Sequence, residues 1–131
     1  MPEVALGVLP GTGGTQRLSR IVGRAKAIEL MAMGKTVSMD DAKTLGLVHD
    51  VFPKETFMKD ALAYASEFLP PKRASRAVGA IKRSVLSGLE MGFQEGLALE
   101  RELQQQLFRS NDAKEGISAY VEKRTAKFSG A

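Results

Sequence analysis

Glu3 is the first ionisable side chain of the sequence, and a distinctive stretch follows it. An apolar run, Val4-Ala5-Leu6-Gly7-Val8-Leu9, leads into Pro10-Gly11-Thr12-Gly13-Gly14, a glycine-rich turn that opens a helix. The first amides of a helix have no partners within it, so such a turn presents N–H groups a few residues from a carboxylate. A group that moves protons, next to donors that hold an oxygen, suits chemistry on an oxygen or a developing anion. Spacing alone leaves two readings of Glu3 open, a solvated acid near the start of the chain or a working acid/base. The loop is equally open: it turns the chain into a helix, and as a phosphate cradle it is weak, because it is not G-x-G-x-x-G and lacks a Lys-Ser/Thr ending. At the other end, Tyr120, Lys123, Arg124 and Lys127 gather where a helix finishes, and by default these cations are a solvated, dipole-compatible helix end.

The elements that must position these groups are mostly helices. Leu18, Ile21 and Val22 recur at helical spacing from Thr15, with Gly23 as the stop, and Arg24 to Met33 forms a second helix ended by Gly34. Ser38 caps a short helix to about Leu45, with Asp40 and Asp41 in its first turn. Leu47 to Phe52 alternates as a short strand, and Val4 to Leu9 reads as a short buried segment or extended arm. Beyond Pro53 the pattern is helical. Phe57, Ala61, Ala65, Phe68 and Leu69 trace one face, Pro70-Pro71 begin the next helix with Val78, Ile81, Val85 and Leu89, and Phe93, Leu97, Leu103 and Leu107 mark a longer one. Ser110 caps the last helix, whose apolar side is Ile117, Tyr120 and Val121. The predicted class is mainly α with one or two short strands, and composition changes at Pro53, dividing the chain into residues 1–53 and 54–131.

Composition narrows the function. The 131 residues fit one domain or part of one, and 44% hydrophobic with 26% charged residues is ordinary for a globular chain. No run is long and apolar enough for a membrane span and no secretory signal pattern appears, which makes a cytoplasmic or matrix location the default. Zero cysteines exclude disulfides and thiolate nucleophiles, and a single histidine, His49, does not suit a metal centre. His49 reads as structural, and Met31, Met33 and Met39 as core filler. The net charge of +4 is mild, and six Phe, two Tyr and no Trp offer no stacking platform for bases, so a nucleic-acid partner is not expected.

The stretch PEVALGVLPGTGGTQRLSRIVG resembles the enoyl-CoA hydratase/isomerase (crotonase) family, and so do AIELMAMGKTVSMDDAKTLGLVHDVFP and EGISAYVEKRTAKF. Several ordered motifs agree across the whole chain. The resemblance implies the C-terminal helical half of a crotonase-type α/β spiral fold, with 1–53 as the tail of the spiral core and 54–131 as a helical assembly region. It implies that the N-terminal half, with the oxyanion donors and a first acidic residue, belongs to a segment not in this sequence. Thr12 stands where small residues are usual in the family, and Tyr120 where an aromatic is common.

The resemblance also assigns roles. Glu3 matches the second catalytic glutamate, which handles the Cα proton of the thioester, and the Gly11 amide matches a group that helps hold the water. Tyr120 and Lys123 match contacts to the CoA moiety, its phosphates or adenine, across a subunit interface, because the family's C-terminal helices pack trimers. No cofactor is implied beyond the enoyl-CoA thioester itself. Two alternatives stand beside the hydratase: a non-catalytic helical oligomerisation module, and another activity of the family such as enoyl-CoA isomerase. The isolated chain is expected to be inactive.

Overall fold

The structure is a computed structural model and describes residues 2–131. It is built of helices, as the periodicity predicts: a 3₁₀ turn at Glu3–Leu6, then α1 (Gly14–Val22), α2 (Arg24–Ala32), α3 (Met39–Thr44), α4 (Phe57–Ser66), α5 (Ser75–Gly88), α6 (Phe93–Phe108) and α7 (Asn111–Glu122). None is long and apolar enough to cross a membrane. The chain forms two compact units, one up to Glu55 and the other Thr56–Ala131.

In the first unit, α1 and α2 meet at Gly23, whose φ of 80° and ψ of 160° serve both the end of one helix and the start of the next. Only glycine adopts that conformation cheaply, so the sharp turn between the helices depends on it. The turn brings Leu18 against Ala27 and Leu30, and Val22, Met31, Val37, Leu45 and Leu47 complete the cluster. Ala27, only 1% exposed, sets how closely the helices approach. Ser38 caps α3 as its sequence suggests, its hydroxyl accepting from the Asp41 amide at 3.0 Å.

Three expectations for this unit need correcting. Of the methionines read as core filler, Met31 packs on the cluster, but Met33 and Met39 are 66% and 60% exposed. Leu47 to Phe52 is not a strand, and no strand is present among the described residues. A strand requires a neighbour with which to exchange backbone bonds; here the Leu47 amide instead turns back to the Ala42 carbonyl at 2.8 Å, and its side chain packs on the helical cluster. Val4 to Leu9 is neither buried nor extended. It coils into the 3₁₀ turn, and Leu6 and Leu9 remain 76% and 67% exposed, while Pro10 is buried.

In the second unit, α5 and α6 form an antiparallel hairpin across a four-residue connection. Gly96 lies against Gly88, where a side chain would come within 3.6 Å of the Gly88 carbonyl oxygen. Leu103 of α6 is buried, but the stripe expected to bury α5 is not covered: Ile81, Val85 and Leu89 are exposed, as are Phe93 and the apolar face of α4. The helix α5 begins at Ser75, a few residues later than Pro70-Pro71 suggested.

The exposed area is large. The chain presents 10,043 Å² to solvent, against about 8,100 Å² for two separate compact units of these sizes. Much of the excess is apolar side chain that a free-standing fold would cover.

Candidate active site

Glu3 sits at the start of the 3₁₀ turn, where backbone bonds fix it on both sides. Pro2 accepts from the Ala5 amide at 2.9 Å, and the Glu3 carbonyl accepts from Val8 at 3.2 Å. Gly7 closes the turn in the left-handed region, φ 73°, a position glycine fills without strain. The carboxylate is half-buried. Its Oε2 is shielded from solvent and has no hydrogen-bond partner, which is true of no other buried side-chain oxygen or nitrogen among the described residues. Buried polar atoms are normally satisfied, and this carboxylate oxygen is the exception among the described residues.

The glycine turn follows in the same unit. The Pro10 carbonyl accepts from Thr15 at 3.3 Å and the Gly11 carbonyl from Gly14 at 3.1 Å, which starts α1. Thr12 and Gly13 are consecutive left-handed residues, φ 56° and 87°. A β-branched residue in that region is an outlier. A Cβ at Gly13 would only touch the flexible Arg17 guanidinium at 3.4 Å, so it is the left-handed backbone that requires glycine there. Gly11 differs: it is exposed, its φ is not positive, and an added Cβ would meet nothing within 4 Å. Within the described residues the amides of Gly11, Thr12 and Gly13 donate to no acceptor. Three free N–H groups in one turn can hold an oxygen atom or an anion.

An open apolar groove of about 480 Å³ lies beside these elements, lined by Val4, Val8, Leu9 and Pro10 from the N-terminal segment and by Ile28 and Met31 from α2. The first unit thus carries a carboxylate with one shielded, partnerless oxygen, a turn whose amides donate to no acceptor among the described residues, and an apolar groove.

Tyr120 and Lys123 lie in the second unit, one helical turn apart at the end of α7. Tyr120 is 86% exposed. Lys123 caps the helix in the left-handed conformation, φ 55°, and makes no ion pair among the described residues. Its neighbour Arg124 is engaged by two carboxylates. The Arg124 guanidinium donates two parallel bonds to Glu115, at 2.6 and 2.9 Å, and its Nε donates to Glu122 at 2.6 Å. Those bonds, with the Lys127 amide, hold the Glu115 carboxyl down at about 2. Arg124 also lowers the Glu122 carboxyl, helped by the Ser118 hydroxyl. The two basic neighbours are therefore different groups: Arg124 is neutralised, and Lys123 keeps a free ammonium.

Sequence reasoning took Asp112 only as part of the capping signal Ser110-Asn111-Asp112 and gave Glu115 no role. Asp112 is only 3% exposed, yet its carboxylate accepts from the Ser129 and Gly130 amides at 2.7 and 2.8 Å and from the Ser129 hydroxyl at 3.1 Å. These bonds, the Ser129 amide first, lower its carboxyl below the usual range, and Arg76 adds to the effect. The partners of Asp112 come 17 and 18 residues later, which no local pattern reveals. Among the described residues no group of three or more His, Asp or Glu side chains is arranged to hold a metal ion.

Comparison with known proteins matches the whole sequence, residues 1–131, to the family model described as enoyl-CoA hydratase/isomerase. A mitochondrial enoyl-CoA hydratase of Pongo abelii is 42% identical over 127 residues, covering 97% of this chain and 43% of that protein. A 2,3-dehydroadipyl-CoA hydratase of Escherichia coli K12 is 40% identical over 130 residues, covering 99% of this chain and 50% of the relative. A crystal structure of an enoyl-CoA hydratase from Geobacillus kaustophilus HTA426 superposes with a TM-score of 0.87 at 43% identity, over 99% of this chain and 48% of that one. The chain spans about half the length of the relatives it matches.

Proposed function

The chain belongs to the enoyl-CoA hydratase/isomerase family, and from that premise we propose that it forms the C-terminal half of an enzyme that adds water across the 2,3 double bond of an enoyl-CoA thioester. Glu3 is the acid/base that delivers the proton to Cα, while a second carboxylate, from outside these 131 residues, takes a proton from the water whose oxygen bonds to Cβ. The Gly11 amide helps hold that water. The reaction needs one carboxyl group acidic and one basic, a division that different surroundings of two carboxylates produce.

The observation that carries this reading is the orphaned Oε2 of Glu3. A surface acid of no function would stay solvated, and an acid with a structural role would have a donor within the fold. The openness around Gly11 supports the same view, since nothing in the chain itself requires a glycine there. Close approach of a substrate, or of the rest of the protein, would. Tyr120 and Lys123 take the CoA moiety in this proposal, the free ammonium meeting a phosphate. The experiment is to follow crotonyl-CoA hydration in the complete enzyme carrying this chain, and in its Glu3→Gln variant. Isomerisation of an enoyl-CoA would use the same carboxylate to move a proton without adding water, and product analysis separates the two reactions.

A second reading draws on the uncovered faces of α4 and α5. In it, residues 54–131 serve as an assembly region through which copies associate, with no catalysis by this chain alone.

A further inference from the structure

After Lys123 the chain reverses and runs back along α7 as an irregular segment to Ala131. It is tied down along its length. Arg124 and the Lys127 amide bond Glu115, the Phe128 amide donates to the Pro71 carbonyl at 3.2 Å, and the Ser129 and Gly130 amides end on the buried carboxylate of Asp112. The Asp112 amide in turn donates to Ala131 at 3.1 Å. The Phe128 ring forms one wall of a cavity of about 290 Å³ bounded by α5, the end of α6 and α7. It also lies against Gly116, where a Cβ would meet the ring at 3.4 Å. Among the described residues the backbone of α7 packs closely on no helix but α6. The returning segment therefore supplies the tie between α7 and the Pro70-Pro71 turn ahead of α5.

We propose that the face formed by α5, α7 and the turn before α5 is a docking groove for an extended peptide, occupied in cis by residues 125–131, so that this segment is a detachable strap holding α7 in place. The groove holds an aromatic ring against Gly116 at the edge of its cavity, followed by two small residues whose amides reach Asp112. A bulkier residue at Gly130 is excluded, because a Cβ there would come within 2.8 Å of the Ser75 hydroxyl. Asp112 is the specificity-determining group, since each of its two carboxylate oxygens accepts one of two consecutive amides, whereas an amide side chain in its place offers one acceptor oxygen and turns an NH2 donor toward the second amide.

The test is amide hydrogen exchange on the full 131-residue chain, unaltered and as Asp112→Asn and Ser129→Pro, the latter removing one strap donor without touching α7. Both variants should raise exchange in α7 at least tenfold and leave α5 and α6 unchanged. A synthetic peptide of residues 125–131 added to Ser129→Pro should restore the protection of α7, and the same peptide with Phe128→Ala should not. Unchanged exchange of α7 in both variants would overturn the proposal. So would equal loss of protection in α5 and α6, which would make the segment part of the core, or failure of the unaltered peptide to restore protection.

Discussion

Arg124 grips Glu115 through two parallel bonds nine residues apart in sequence, Nη1 to Oε1 at 2.6 Å and Nη2 to Oε2 at 2.9 Å. This bidentate geometry fixes a guanidinium against a planar carboxylate more firmly than a single contact can. Its consequence is chemical as well as structural: Arg124 is committed, while Lys123 makes no ion pair among the described residues.

A pH dependence follows from the pair. The Glu115 carboxyl is lowered from 4.5 to about 2 by Arg124 first and the Lys127 amide next. A group whose folded value is depressed contributes stability that is present above its unfolded value and is lost as pH falls through the folded one. Thermal unfolding should therefore occur at progressively lower temperature as pH drops from about 5 toward 2, and Asp112, lowered as well, adds in the same direction. Glu115→Gln should be less stable at pH 7 and show a shallower acid loss. Parallel pH profiles for the variant and the unaltered chain would contradict the assignment.

The glycines of the turn should separate under mutation. Gly13→Ala forces a Cβ into a left-handed position against Arg17 and should destabilise by about 1–2 kcal/mol. Gly11→Ala meets no neighbour and should change stability by less than about 0.5 kcal/mol. Urea midpoints of the two variants check this, and equal losses at both sites would show that Gly11 is constrained from within the chain.

The exposed apolar faces should not stay solvated. With 10,043 Å² presented to solvent, and patches this extensive marking interaction sites, the isolated chain should sediment as an oligomer at micromolar concentration. Charged substitutions on the uncovered stripe, such as Ile81→Glu with Leu89→Glu, should shift it toward monomer. A monodisperse monomer of the unaltered chain would argue against the assembly role of residues 54–131.

How much of this was legible in the sequence depended on whether a signal was local. Helices were legible because their evidence is periodic: Leu18 with Ile21 and Val22, Ser38 ahead of two acids, and Ser110 ahead of Asn111 and Asp112 each state a helix or its start within a few residues. Leu47 to Phe52 misled because alternation reports only that one side of a segment is apolar. Whether that side meets a sheet or, as Leu47 does, a helical cluster depends on the neighbours. The apolar stripe of α5 was read correctly as a stripe, but a stripe by itself does not fix burial, and Ile81, Val85 and Leu89 are exposed. The Asp112 and Glu115 ties were invisible for another reason, since their donors lie 9 to 18 residues away in a segment without periodicity. For the candidate site, Glu3 and the glycine turn drew attention by type and spacing. The shielded, partnerless Oε2, which distinguishes Glu3 from a solvated acid, appears only in three dimensions.

The central claim is that Glu3 moves the Cα proton, and kcat for crotonyl-CoA hydration by the complete enzyme, with Glu3 or with Glu3→Gln, tests it most directly. Loss of a general acid/base typically costs ~10²–10⁴ in rate, so kcat should fall by that order while KM changes little, the shape of the side chain being kept. The 131-residue chain by itself should show no appreciable turnover. An unchanged kcat in Glu3→Gln, or hydration by the isolated chain, would contradict the account.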